Sequence, residues 1–160
     1  MKQNPSTPNS LLLTPNSSLT PITPYSQEVI TVYKKVRINR DLELLPLFID
    51  NHRPFRLGKW MHCQYHPTRG FAPRSCGRSA DGKPLGGWHC CFMPIAPHLA
   101  DQLKSGERRV WIKCEARGQR IVYDRPWNQG GAWILVEWIR PIAVLTEEEV
   151  NQINSTIQIA

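Results

Sequence analysis

Four of the five cysteines and three of the five histidines fall within WMHCQYHPTRGFAPRSCGRSADGKPLGGWHCC, Trp60 to Cys91. Cys63 and His66 form C-x2-H, a spacing at which two side chains on a tight turn can share one metal ion. A closed tetrahedral zinc site needs two more soft ligands, and Cys76 and Cys90 are the candidates. Zinc on Cys63, His66, Cys76 and Cys90 would clip both ends of the long segment between them, because metal binding contributes folding free energy. The second pair lacks a knuckle spacing, however, and the adjacent Cys90 and Cys91 point to opposite faces of any strand. Packing competes with ligation, since a reduced cysteine behaves as a small buried hydrophobe. Cys114, alternating with Val110 and Ile112, fits that role.

The same residues admit a catalytic reading, with Cys90 or Cys91 as nucleophile and His62, His66 or His89 as base. Gly86 and Gly87 would offer backbone N–H groups to an oxyanion. No protease signature, nucleophile elbow, phosphate-binding loop or dinucleotide fingerprint accompanies them. A Cys- or metal-dependent hydrolase or transferase is therefore the third choice.

Phosphate recognition draws on different side chains. Arg69, Arg74, Arg78 and Lys83 are interleaved with Phe71 and flanked by Tyr65 and Trp88. Cations that follow a phosphate backbone while bases stack on rings are how single strands are held. Arg108 and Arg109 open a later strand and extend the basic stripe, or else guard a sheet edge. The whole chain carries a formal charge of +7, and thirteen arginines against seven lysines favour bidentate grip on phosphate or carboxylate. Between Arg53 and Lys83 seven cations face one acid, Asp81. The first expectation is a non-enzymatic nucleic-acid-binding or regulatory module, its Arg-rich loop organised by zinc. The second is an adaptor whose basic face docks an acidic protein partner.

These side chains must be positioned by a short run of elements. Residues 1–26 are rich in Pro, Ser, Thr and Asn, with Lys2 as the only charged side chain, and read as a disordered tail. Residues 27–160 read as a single β-rich globular domain. VITVYKKVRI (Val29 to Ile38), FRLGKWMHCQY (Phe55 to Tyr65) and GWHCCFM (Gly87 to Met93) have strand character. Pro97 suits the first turn of a helix running to about Lys104, with Gly106 to end it. RRVWIKCEA and QRIVYDR pair as strands across a tight turn at ARGQ. AWILVEWIRPIAVL is apolar enough to be central and buried on both faces. Thr146 and Glu149 then form the capping box of a C-terminal helix.

The resulting expectation is an α+β fold: a small curled antiparallel sheet or partial β-barrel, with one short internal helix and a C-terminal helix. No apolar run approaches the roughly 20 residues of a membrane span. No membrane partner is expected, and reduced cysteines in odd number point to the cytosol.

Overall fold

The computed structural model describes residues 23–47, 53–63, 87–99, 107–126 and 130–157. Its elements are β1 (Thr23–Ile38), β2 (Leu44–Leu45), β3 (Met61–His62), β4 (Trp88–Cys91), β5 (Arg108–Tyr123), β6 (Trp133–Val144) and α1 (Glu147–Ile157). All strand pairings are antiparallel.

β1 and β5 form a long two-stranded ribbon, in continuous register from Ile30 opposite Ala116 to Ile38 opposite Arg108. β-Branched and aliphatic side chains at alternate positions supply its inner face: Val32 and Val36 from β1, Ile112, Cys114 and Ala116 from β5. β6 pairs with β5 along one edge and with β3 and β4 along the other. Its Ile134, Val136 and Ile139 join that core, together with Met61, Cys63, Trp88 and Cys90. Leu135, on the opposite face, is also fully enclosed, so this stretch of β6 is covered on both sides.

Two features differ from the pattern in the sequence. The expected turn at ARGQ is absent, and β5 runs straight through it as one strand. The glycine there makes a bulge: Gly118 has φ +84°, and Gln119 N–H donates to Glu137 Oε2 at 2.8 Å. A Cβ on Gly118 would lie 2.5 Å from that carboxylate oxygen, so only glycine lets β6 approach. β1 also begins at Thr23, inside the segment expected to be tail.

The α+β expectation is overturned. The described residues are mostly antiparallel sheet, and their single helix is the C-terminal α1. No internal helix follows Pro97 among the described residues: Pro97–Leu99 are turn, with Leu99 N–H bonded to Ala96 O at 3.0 Å. Leu99 O accepts from Lys35 Nζ at 3.0 Å, tying this turn to β1. Residues 100–106 lie outside the described set. Nor do the strands make a barrel. Pairings run β1–β5–β6–β4, but β4 is four residues long and returns to β1 through one pair, Tyr33 with Cys91. That link is a seam rather than a closed wall.

α1 stands where the capping box puts it. Glu149 N–H donates to Thr146 Oγ1, and Thr146 N–H to Glu149 Oε2 at 2.7 Å. No helix among the described residues is long and apolar enough to cross a membrane.

Candidate functional site

The segment holding most of the chemistry-bearing residues is an excursion from one sheet edge. Along β6, Met61 sits opposite Ile139 and His62 opposite Trp138, and Cys63 N–H then donates to Glu137 O. Trp88 next faces Val136, followed by His89, Cys90 and Cys91 against Leu135, Ile134 and Trp133. β3 and β4 therefore occupy successive positions on the same edge, and residues 64–87 join them. Trp88 Nε1–H donates to Met61 O at 3.1 Å and ties the two pieces together. Strand pairing fixes both ends of the segment.

Of the proposed zinc ligands, Cys63 and Cys90 lie in the core, 3% and 2% exposed, while His66 and Cys76 fall outside the described residues. The described residues contain no cluster of three metal-ligating side chains. Burial pushes the Cys90 thiol up to about 12 against the opposing pull of Lys34, with Cys91 adding to the rise. Burial also raises Cys91, although Arg125 and Lys34 oppose it. A cysteine nucleophile requires the reverse, a lowered pKa.

Of the proposed phosphate-binding residues, Arg69, Phe71, Arg74, Arg78 and Lys83 lie outside the described residues. Arg108 is exposed at the start of β5, and Arg109 beside it is half-buried. Trp88 is 2% exposed: it packs on Phe55 with ring centroids 5.2 Å apart, and its edge reaches a cavity.

That cavity, about 90 Å³, lies at the β1–β4 seam. β1 contributes Tyr33, Lys34 and Lys35; β4 contributes Trp88 to Cys91; Trp111, Trp133 and Arg125 complete much of the wall. Consecutive residues of a strand face opposite ways, so a Lys-Lys pair within an apolar strand must turn one ammonium inward. Lys34 is only 7% exposed; its Nζ donates to His89 O at 2.8 Å and lies over the Trp88 ring at 5.7 Å. Lys35, 9% exposed, covers Trp111 from 5.5 Å while bonding Leu99 O.

Arg125 is fixed by its Nε–H, which donates to Gly131 O at 3.0 Å. Its Nη2 is buried without a hydrogen-bond partner among the described residues. Gly130, at φ +101°, makes room for it: a Cβ there would stand 3.0 Å from Arg125 Nη2 and 2.5 Å from Ile95 O.

No aspartate or glutamate is among the described residues lining this cavity. Burying a cation is costly without an opposite charge nearby, and Lys34 and Arg125 face no carboxylate among the described lining residues, an arrangement that favours an anion. The electrostatics are visible in His89. Burial, then Lys34 and Arg125, bring its pKa down from 6.5 to about 3, so its imidazole is neutral at pH 7. His89 stacks on Trp133 at 4.8 Å, and Trp133 on Tyr123 at 4.4 Å, giving the cavity an aromatic flank.

A second cation–aromatic cluster occupies the far part of the sheet. Arg117 lies over Trp60 at 4.3 Å and Trp138 at 5.7 Å, and Arg140 over Trp60 at 5.0 Å. Glu115 pairs with Arg140, and Glu137 Oε1 lies 3.2 Å from His62 Nε2. These groups answer one another and surround no cavity among the described residues.

Sequence reasoning missed Lys34, Lys35 and Arg125. The KK inside VITVYKKVRI was the available signal, since paired lysines cannot both face solvent from a half-buried strand. No signal of comparable strength marked Arg125. No known protein family, characterised protein or solved structure matches the chain.

Proposed function

We propose that the protein is a nucleic-acid-binding module that holds single strands through phosphate contacts and aromatic rings. The observation that carries this reading is the convergence of Lys34, Lys35 and Arg125 on one aromatic-flanked cavity with no carboxylate among its described lining residues. Two neighbours support it. Gly87, where the Arg-rich segment rejoins the sheet, lines the same cavity, so Arg69, Phe71, Arg74, Arg78 and Lys83 belong to a chain anchored at its rim. The outward side of the β1–β5 ribbon also brings Arg37 opposite Arg109 and Tyr33 opposite Lys113, a basic surface continuing from Tyr33 and Lys35. Arg108, one residue before Arg109, belongs to the opposite face at the ribbon's end, beside Ile38.

Polyanion binding by such a surface releases condensed counterions, so affinity falls steeply with salt. The test is fluorescence anisotropy with labelled single- and double-stranded oligonucleotides across a salt series. Single-strand binding that weakens about tenfold or more between 50 and 200 mM salt, and further on charge reversal at Arg69, Arg74 and Arg78, is the expected result. Salt-insensitive binding, or none to either form, overturns the reading in favour of an acidic protein partner. Zinc on Cys63, His66, Cys76 and Cys90 is a separate part of the proposal, tested by elemental analysis of wild type and Cys76→Ser.

A further inference from the structure

The seam cavity holds about 90 Å³, more than one water needs and well below the roughly 300 Å³ at which pockets for whole small molecules begin. It can enclose one compact group of a larger ligand, and two side chains decide which group that is. Lys34 and Arg125 both line the cavity, and both lie close enough to His89 to disfavour its protonation.

An ammonium has three N–H donors, and Lys34 gives one of them to His89 O from a 7% exposed position. Arg125 is pinned through Nε by Gly131 O, and its guanidinium also reaches the Cys91 thiol. Its Nη2 stays buried with no hydrogen-bond partner among the described residues. An unanswered buried N–H is costly, and an acceptor in the cavity removes that cost. The Trp88 indole N–H is already given to Met61 O, and Lys35 is tied to Leu99 O. Two cations, each with a donor to spare, match one negative charge spread over two oxygens. Much of the remaining wall is apolar, with Pro46, Trp88, Ala96 and Trp111, and would desolvate a second charge or a third oxygen at a cost. A phosphomonoester brings both, with about 1.5 to 2 charges at pH 7. A phosphodiester has one charge and two free oxygens.

We infer that the seam cavity seats a single phosphodiester, one free oxygen on Lys34 Nζ and the other on Arg125 Nη2. A linkage within a strand and a cyclic nucleotide both present that group. A carboxylate shares its charge and oxygen count, so the choice of phosphodiester rests on the nucleic-acid reading. The seat adds to that reading one fixed position, at which a single backbone charge outweighs the others.

The experiment uses thymidine tetramers with hydroxyl ends on the full chain, read by calorimetry at about 200 mM salt, where diffuse attraction is screened. One tetramer has three charged linkages, one has only the central linkage charged between neutral methylphosphonates, and one is fully neutral. The singly charged tetramer should bind within about threefold of the fully charged one, and the neutral one about tenfold or more weaker. A terminal phosphate on the neutral tetramer should restore less than about twofold. Lys34→Met and Arg125→Met should each narrow the gap between the singly charged and neutral tetramers several-fold. The wild-type comparison needs no variant, so a misfolded substitution does not leave the question open. Affinity falling in equal steps with each charge removed overturns the seat and leaves the nucleic-acid reading standing. Full rescue of the neutral tetramer by a terminal phosphate overturns the diester. Cyclic adenosine monophosphate bound without any tetramer supports the seat and overturns the polymer. Acetate bound in place of every phosphodiester, or failure of all probes, overturns both.

Discussion

The seam cavity and the Trp60–Trp138 cluster are built from the same residue types, yet they are arranged to opposite ends. In the cluster, Arg140 meets Glu115, His62 meets Glu137, and the ring of Trp60 is covered by Arg117 and Arg140. Arg117 Nε is buried without a hydrogen-bond partner among the described residues, but its guanidinium lies 4.3 Å from the Trp60 ring centroid, on an electron-rich face. In the cavity, Lys34 and Arg125 share a wall with no carboxylate among the described lining residues, and the Arg125 guanidinium reaches the Cys91 thiol rather than an acid. Cations and aromatics together are thus no signature of binding. What separates a brace from a site is whether the charges are already answered inside the molecule.

That contrast can be broken in several ways. The largest effect should come from acid. Unfolded His89 takes a proton near pH 6.5, whereas the folded residue refuses it until about pH 3. The unfolded chain therefore binds the extra proton between those values, and stability falls as pH drops. The loss from this one group should be on the order of 3 kcal/mol between about pH 6.5 and 4. Urea melts across that range check it, and His89→Gln should flatten the profile.

Glu137→Ala strikes the brace instead. It removes the acceptor of Gln119 N–H and the partner of His62 at an 8% exposed position. A cost of about 2–3 kcal/mol is expected, with oligonucleotide affinity at neutral pH unchanged. Loss of affinity in a folded Glu137→Ala protein would erase the distinction between the two regions. Gly130→Ala should do moderate harm to both properties. Its positive φ and the approach of Ile95 O predict about 1–2 kcal/mol of destabilisation, and displacement of Arg125 should weaken phosphate binding several-fold.

Lys34→Met gives the smallest stability change and the sharpest test. Replacing a buried charge by an apolar side chain of similar length is expected to leave the melting midpoint unchanged, or raise stability by about 1 kcal/mol, while single-strand affinity falls several-fold. A large fall in stability would show that Lys34 is part of the frame.

Much of the frame was legible from alternation and caps. VITVYKKVRI and RRVWIKCEA are strands as expected, although they pair with each other where RRVWIKCEA was expected to pair with QRIVYDR. AWILVEWIRPIAVL is central and enclosed through Ile139 but exposed at Ile142 and Val144, and Thr146 with Glu149 starts the helix. Three things were not. Gly118 reads as a turn in isolation; it becomes a bulge because the Glu137 carboxylate, 19 residues on, takes the neighbouring amide. Pro97 reads as a helix start, but residues 97–99 settle as a turn held to β1 by a lysine 64 residues away. Both outcomes depend on a distant partner that local propensity cannot see. Arg125, in a polar stretch before a glycine pair, likewise gains its meaning from which strands enclose it. The arginines and Cys76 between His66 and Lys83 were conspicuous by composition, which draws the eye to a segment and says nothing of what its ends rest upon.

Those ends have one more consequence. Cys63 and Trp88 take neighbouring places along β6, so whatever connects them leaves the sheet's register unaltered. Residues 64–87 are in that sense a replaceable fitting in a fixed socket. The register of β3 and β4 on β6 is set by the sheet itself, so a change of length between Cys63 and Gly87 need not shift the pairings of Met61, His62 or Trp88 to Cys91.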